Sequence, residues 1–217
     1  MLKKFVYMVC GIAVLVFMGA CMNKSSSKLG TIIILNGPSS VGKTRILKAF
    51  QKKKNKPWLG TGIDHLYVGV IPPDWLDDKP EHHAIMTVVN SKDENGPIVT
   101  AVFGSEGEKV IKGMHRAIAA YANAGNNVVV DYIKYKDSWR IDLQEVLSGH
   151  NVFWIGVTAS LESIEAREKN RGTSPVGHAR SHYHTVHQKM VYDLMVNTDD
   201  MTPEQAADQI IALILNK

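Results

Sequence analysis

Residues 30–50 of the chain are GTIIILNGPSSVGKTRILKAF, and this stretch decides the expected fold. Thr31 to Leu35 is apolar and rich in β-branched residues, which predicts a buried strand. Lys43 to Lys53 carries its apolar residues at helical spacing, which predicts an amphipathic helix. A short turn of small residues joins these two elements. The order of strand, turn and helix indicates the beginning of an α/β fold.

The turn itself follows a phosphate-binding pattern in full. Its residues, Gly37-Pro38-Ser39-Ser40-Val41-Gly42-Lys43-Thr44, satisfy G-x-x-x-x-G-K-[ST]. Glycines allow backbone N–H groups to turn toward a β-phosphate, and the helix that follows adds its positive end. Lys43 is expected to reach the β- and γ-phosphates, and Thr44 to offer its hydroxyl to Mg²⁺. The alternative is a glycine-rich turn before a helix, without a ligand.

Strands and helices alternate along the rest of the chain. Further strands are expected at Trp58 to Ile63, Asn127 to Asp131 and Val152 to Val157, and helices at Lys109 to Ala124, Ser138 to Leu147, Leu161 to Asn170 and Thr202 to Leu215. This alternation predicts a parallel sheet with helices on both faces. Val70 to Gly107 is less regular. We interpret it as an insertion with a small hairpin, AIMTVVN and PIVTAVF around SKDENG.

Two aspartates lie at the carboxyl ends of predicted strands, where the ligand crevice of an open α/β sheet lies. Asp64 comes just after the second strand and is placed to accept the proton of a hydroxyl that is being phosphorylated. Asp131 closes the strand NVVVD and is placed to hold Mg²⁺ through water. A cap or turn role remains the alternative for each of them.

Arginines and histidines follow the fourth strand. Arg167 and Arg171 lie one turn apart on a predicted helix, and the glycines and proline after them indicate a mobile loop. Arginines on a closing lid would neutralise charge on the phosphoryl group, whereas a solvated helix end would give them no such role. The histidines at 178, 182, 184 and 187 are interpreted as a polar face beside the phosphate site, in preference to a zinc site.

Composition and charge are those of an ordinary globular domain. The chain has 217 residues, of which 45% are hydrophobic and 21% charged, so disorder is not expected. A net charge of +4, to which Lys3 and Lys4 contribute, does not favour a nucleic-acid partner. Both cysteines, Cys10 and Cys21, precede the predicted strands. The body of the protein therefore has no disulfide framework and no cysteine metal site.

The N-terminal segment resembles an export signal. Lys3-Lys4 precede the uncharged run Phe5 to Ala20, which is short for a membrane span. Met18-Gly19-Ala20-Cys21 resembles the bacterial lipoprotein cleavage box, in which the cysteine is lipidated. We expect a signal at residues 1–21, a polar linker at 22–29 and the catalytic domain at 30–217, with membrane attachment through Cys21. An uncleaved anchor and a cytoplasmic protein that starts at Met22 are the alternatives.

Six segments together resemble the chloramphenicol 3-O-phosphotransferase family. They are IIILNGPSSVGKTRILKAFQ, PWLGTGIDHL, NVVVDYI, SWR, VFWIGVTASLESIEAREKNRG and VHQKMVYDLMVNTDDMTPEQAA. The likeness extends from about Thr31 to Leu213, and the motifs agree in order and spacing except across Val70 to Gly107.

The resemblance implies a P-loop kinase fold close to those of shikimate and adenylylsulfate kinases. This fold is a three-layer α/β arrangement with a mostly parallel five-stranded sheet. The resemblance also implies that ATP binds at the loop with Mg²⁺ and that a hydroxyl of a small neutral antibiotic is phosphorylated. The catalytic base of the family matches Asp64, within Gly62-Ile63-Asp64, and its lid arginines match Arg167 and Arg171.

Two other hypotheses are compatible with the sequence. The same fold would serve another acceptor, such as a sugar, a nucleoside or another metabolite. Alternatively, an exported lipoprotein would bind nucleotide without turnover. The presence of Lys43, Thr44 and Asp64 disfavours this last hypothesis, because a binding module needs no base.

Overall fold

The computed structural model describes residues 28–77 and 79–216, and its centre is a parallel sheet. The strands are β1 Thr31–Asn36, β2 Trp58–Gly62, β3 Met86–Asp93, β4 Gly96–Phe103, β5 Asn127–Tyr132, β6 Asn151–Thr158 and β7 Leu194–Asn197. Five of them form the main sheet in the order β2-β5-β1-β6-β7, and every pair in it is parallel. Strands β3 and β4 form a separate antiparallel hairpin. The signal expected at residues 1–21 lies outside the described residues.

Helices cover both faces of the main sheet. They are α1 Lys43–Lys52, α2 Ile63–Leu66, α3 Ser105–Asn123, α4 Asp137–Val146, α5 Leu161–Arg171, α6 His178–Tyr183 and α7 Pro203–Leu215, with 3₁₀ turns at Val68–Val70, Pro73–Trp75 and Pro80–His82. Within the described residues, no helix combines the length and the apolar character needed to cross a membrane.

The central strand β1 explains why the core has two halves. Side chains alternate between the two faces of a strand, so Ile33 and Leu35 pack on one side and Ile32 and Ile34 on the other. The first pair meets apolar residues of α1, α5 and α7, and the second meets those of α3 and α4. Because every one of these four β1 residues is fully buried, the run between Gly30 and the phosphate loop is rigidly held.

This architecture confirms the predicted α/β fold, the parallel sheet and the hairpin, with differences at element ends. Strand β2 stops at Gly62, because Ile63 begins the short helix α2. Helix α3 begins at Ser105, inside the segment that was predicted to be an irregular insertion. The Ala84 carbonyl accepts the backbone N–H groups of Glu106 and Gly107, which satisfies two donors of the first turn. Helix α6 and strand β7 were not predicted.

Candidate active site

The phosphate loop and the two predicted aspartates meet at the carboxyl ends of three adjacent strands. In the sheet, Asp131 of β5 lies level with Leu35 of β1 on one side and Gly62 of β2 on the other. A Cβ atom at Gly62 would lie only 2.2 Å from the Asp131 carbonyl oxygen, so this close approach requires glycine. The loop, Asp64 and Asp131 line one cavity of about 950 Å³.

The phosphate loop is held in a wrapped conformation by its own lysine. Gly42 has a left-handed backbone with φ 102°, immediately before α1 begins. Lys43 is only 5% exposed, and its Nζ donates to the carbonyl oxygens of Gly37 at 3.0 Å and Pro38 at 2.9 Å. The buried Ser40 Oγ has no hydrogen-bond partner among the described residues. A concave loop with an enclosed ammonium and an unpaired buried hydroxyl fits a phosphate group.

Asp131 connects Lys43 with the first helical threonine. The Thr44 Oγ1 donates a hydrogen bond of 2.6 Å to Asp131 Oδ2, and Asp131 Oδ1 lies 3.4 Å from Lys43 Nζ. Two oxygen atoms, one from a hydroxyl and one from a carboxylate, thus lie side by side at the mouth of the loop. Oxygen ligands of this kind suit Mg²⁺ that also contacts nucleotide phosphates, so the residues present fit that ion.

Asp64 differs from Asp131 in its surroundings. Its side chain is exposed to the cavity, and in the part of the chain that the structure describes its carboxylate forms neither a hydrogen bond nor an ion pair. Strand β2 ends at Gly62, so Asp64 lies in the first turn of α2 beside the cavity. A carboxylate without competing partners is available to a ligand hydroxyl.

Both predicted arginines line the cavity, and each is oriented by a partner. Arg167 donates to Thr198 Oγ1 at 2.8 Å and to Asp199 Oδ1 at 3.1 Å. Arg171 donates to Ser174 Oγ at 2.8 Å and, at 3.4 Å, to Ser39 Oγ of the phosphate loop. Helix α5 therefore carries two guanidinium groups to the phosphate side of the cavity.

The opposite side of the cavity is apolar and is built largely by the insertion. The hairpin contributes alternate residues of β3 and β4, and the segment after β2 completes the wall. Its apolar side chains include Ile63, Leu76, Met86, Val88, Val99 and Phe103. Of the described lining residues between 63 and 103, Asp64 is the one with a charged side chain.

Two residues supply polar atoms beside this wall: Tyr135, which the sequence analysis did not single out, and His178, one of the histidines expected beside the phosphate site. The His178 Nδ1 faces the Val99 carbonyl oxygen at 3.3 Å, so Nδ1 carries the proton and Nε2 accepts from the Tyr135 hydroxyl at 3.0 Å. Burial, followed by the negative charge of Asp64, raises the pKa of the Tyr135 phenol. Burial also lowers the pKa of His178, which favours the neutral ring that this hydrogen-bond arrangement requires. The segment IKYKD, which directly follows β5, was the available sequence signal for Tyr135.

Two of the other histidines expected at this face, His182 and His187, take separate partners. His182 Nε2 accepts the backbone N–H of Ser39 at 3.0 Å, and His187 Nδ1 lies 2.8 Å from the Tyr192 hydroxyl. The described ranges contain no group of three or more His, Cys, Asp or Glu residues that could hold a metal ion.

The hairpin is attached to α6, which follows the loop that carries Ser174. The Val99 N–H donates to the Gly177 carbonyl oxygen at 3.2 Å. The Arg180 guanidinium contacts Asp93 Oδ1 at 2.9 Å and also pairs with Glu165 of α5. The apolar wall and the helix with the two cavity arginines are thus joined through one side chain.

Three comparisons with known proteins indicate the family and the fold of the chain. Residues 30–214 match the model of the family described as chloramphenicol phosphotransferase-like protein. Two Mycobacterium tuberculosis proteins, each named "Putative O-phosphotransferase", are 32% identical over 178 residues, which are 78% of this chain and 75% of each relative. The fold is shared with the APS kinase CysC of M. tuberculosis (TM-score 0.58, 15% identity, 86% of this chain and 98% of that one). It is also shared with shikimate kinase of Acinetobacter baumannii (TM-score 0.52, 15% identity, 89% and 97%).

Proposed function

This chain belongs to the chloramphenicol phosphotransferase-like family and is a small-molecule kinase, and we propose that it transfers the γ-phosphoryl group of ATP to a hydroxyl of a small neutral molecule. The observation that carries the proposal is that both parts of the site share one cavity. The phosphate loop lines one side of it, and the unpaired Asp64 carboxylate and an apolar wall line the other side. Chloramphenicol is the first acceptor to test, because the family model bears its name.

Gly37 to Thr44 are proposed to bind the nucleotide phosphates. The enclosed Lys43 ammonium and the buried, unpaired Ser40 hydroxyl support this role. Thr44 and Asp131 are proposed to hold Mg²⁺, which supplies positive charge to the phosphates when bound. The hydrogen bond between Thr44 and Asp131 holds the two oxygen atoms side by side, where they would take the ion.

Asp64 is proposed to be the general base. The acceptor oxygen forms a bond to the γ-phosphorus while the bond from that phosphorus to the bridging oxygen of ADP breaks, and the acceptor proton passes to the Asp64 carboxylate. Arg167 and Arg171 are proposed to face the negative charge that develops on the transferred group. Arg167 is hydrogen-bonded to Thr198 and Arg171 to Ser174, which supports guanidinium groups that are already oriented before the substrate binds.

The acceptor wall favours a neutral, largely apolar alcohol. An anionic acceptor would need a cation on the acceptor side, and the described lining residues between 63 and 103 provide none. A highly hydroxylated sugar would leave many hydroxyl groups against Met86, Val88 and Phe103, which costs hydrogen bonds. Among the alternative acceptors, a metabolite with a largely apolar body is therefore favoured over a sugar, and over a nucleoside whose ribose carries several hydroxyl groups.

ATP turnover against a panel of hydroxyl compounds tests this function. The purified protein is incubated with MgATP and, separately, with chloramphenicol, sugars and nucleosides, and ADP and phosphorylated product are measured. We expect product with a neutral apolar alcohol, and at least about a hundredfold slower formation of it with Lys43→Ala. If the protein binds nucleotide but phosphorylates no compound, the hypothesis of a nucleotide-binding protein without turnover replaces the kinase.

We also propose that residues 1–21 direct export and that Cys21 is lipidated, with residues 30–217 as the kinase domain. The positive Lys3-Lys4, the uncharged run and the small residues before Cys21 support this. A fatty-acid probe should label the wild-type protein in cells and not Cys21→Ser. An unlabelled protein whose mature N-terminus is Met22 would refute it.

A further inference from the structure

Helix α6 places one histidine against the acceptor wall and another against the phosphate loop. His178 and His182 are four residues apart, so they project from the same side of the helix. His178 contacts the acceptor wall through Val99 and Tyr135. His182 contacts the phosphate loop, and it is only 3% exposed.

The contact between His182 and the phosphate loop has a defined direction. The Ser39 N–H donates to His182 Nε2 at 3.0 Å, so Nε2 carries no proton. His182 Nδ1 lies 3.2 Å from Ser181 Oγ, whose own proton is donated to the His178 carbonyl oxygen at 2.7 Å. Nδ1 is therefore the donor, and the ring is neutral. Burial, with His178 and Lys43 nearby, lowers the pKa of His182 to about 2, which keeps the ring neutral.

Glu168 of α5 fixes the start of α6. Its side chain is fully buried, and its two carboxylate oxygens accept the N–H groups of Gly177 and Ala179, each at 2.8 Å. Helix α5 also carries Arg171, whose guanidinium reaches Ser39 Oγ. Ser39 of the phosphate loop is thus held through its amide by His182 of α6 and through its hydroxyl by Arg171 of α5.

We propose that His182 is a positioning residue that sets the phosphate loop in its binding conformation by accepting the Ser39 N–H. The inference rests on the proposed function, because it assigns the loop to nucleotide phosphates. Ser39 is buried, so without His182 its N–H would turn toward another acceptor and the loop would change shape. A displacement on the order of 1 Å in a positioned site lowers the reaction rate by up to about a hundredfold. We expect ADP affinity to fall at least about tenfold.

Three variants test this role. His182→Leu removes the acceptor, whereas His182→Gln places an amide oxygen near the position of Nε2. His184→Leu is the matched control, because His184 follows α6 directly and is exposed. Hydrogen exchange of the peptide that spans residues 36–42 is measured in the free protein. Affinity is measured by calorimetry for MgADP and for AMP, which lacks the β-phosphate that the loop would bind.

We expect His182→Leu to lose protection of the loop peptide and to bind MgADP at least about tenfold more weakly, with AMP affinity unchanged. His182→Gln should restore both properties, and His184→Leu should match the wild type. Unchanged exchange in His182→Leu overturns the inference, and so does an equal loss for ADP and AMP that His182→Gln does not rescue. If His182→Leu does not fold, ¹⁵N shifts of the wild-type His182 ring decide, and a proton on Nε2 overturns the inference. A wild-type protein that binds no ADP contradicts the proposed function instead, while exchange still tests the contact.

Discussion

Replacement of Glu168 should destabilise the protein strongly, because this carboxylate is fully buried and accepts two backbone N–H groups. A hydrogen bond to a charged partner contributes about 1.5–3 kcal/mol, so Glu168→Ala should lower the free energy of unfolding by about 3–6 kcal/mol. Glu168→Gln retains one acceptor oxygen and turns an amide NH₂ toward the second N–H. Its loss should be roughly half as large. The free energy of unfolding of a typical domain is about 5–15 kcal/mol in total, so both losses of stability are readily measurable.

Urea unfolding of the wild type and the two variants provides the measurement, with the slope m compared to confirm that the same surface is exposed. Glu162→Ala is the control, because Glu162 lies exposed in the first turn of the same helix and should cost under about 1 kcal/mol. The reasoning would be refuted if Glu168→Ala and Glu162→Ala lost equal stability. It would equally be refuted if Glu168→Gln were as stable as the wild type, because both oxygens would then be dispensable.

Three further predictions concern catalysis and pH. Lys43→Ala should lower turnover at least about a hundredfold, measured as ADP release, and near-normal turnover would exclude the proposed phosphate contact. Asp64→Asn should lower kcat by about 10² to 10⁴ and leave nucleotide affinity within about threefold; loss of nucleotide binding instead would make Asp64 a metal or structural ligand. Hydrogen bonding to Arg140 lowers the pKa of Asp137 from 3.8 to about 2. This depressed pKa contributes stability that is present above about pH 4 and is lost as pH falls toward 2, so acid unfolding of Arg140→Gln should show a weaker pH dependence over that window.

The first strand, the phosphate loop and α1 could be predicted because each rests on local sequence. The apolar run of β1, the left-handed Gly42 and the one-sided apolar face of α1 all act within a few residues. The hairpin was predictable for the same reason, since alternating strands flank a turn. The sequence also indicated that Asp64 and Asp131 lie at the carboxyl ends of strands, which brings them to the same edge of the sheet.

Helix α6 and strand β7 were missed because tertiary contacts produce them. Helix α6 has only six residues, follows Gly177, and depends on the distant Glu168 for its first hydrogen bonds. Strand β7 has only four residues, too few to give a clear sequence pattern. Its pairing with β6 makes it a strand. The contact of His182 with Ser39 joins residues 143 positions apart, which no local pattern indicates. The sequence therefore predicted a polar face of histidines beside the phosphate site without indicating the partner of any one of them.

The β3–β4 hairpin has the properties of a segment that can be exchanged as a unit to alter acceptor specificity. Its first and last residues, Met86 and Phe103, are direct neighbours across the two strands, so the segment leaves and re-enters the domain at one place. It contributes apolar wall and none of the phosphate-loop residues. Replacement of this segment by that of a relative should therefore change which alcohol is accepted and leave phosphoryl transfer intact. One condition applies: the new hairpin must keep a carboxylate at the position of Asp93, so that Arg180 still attaches it to the domain.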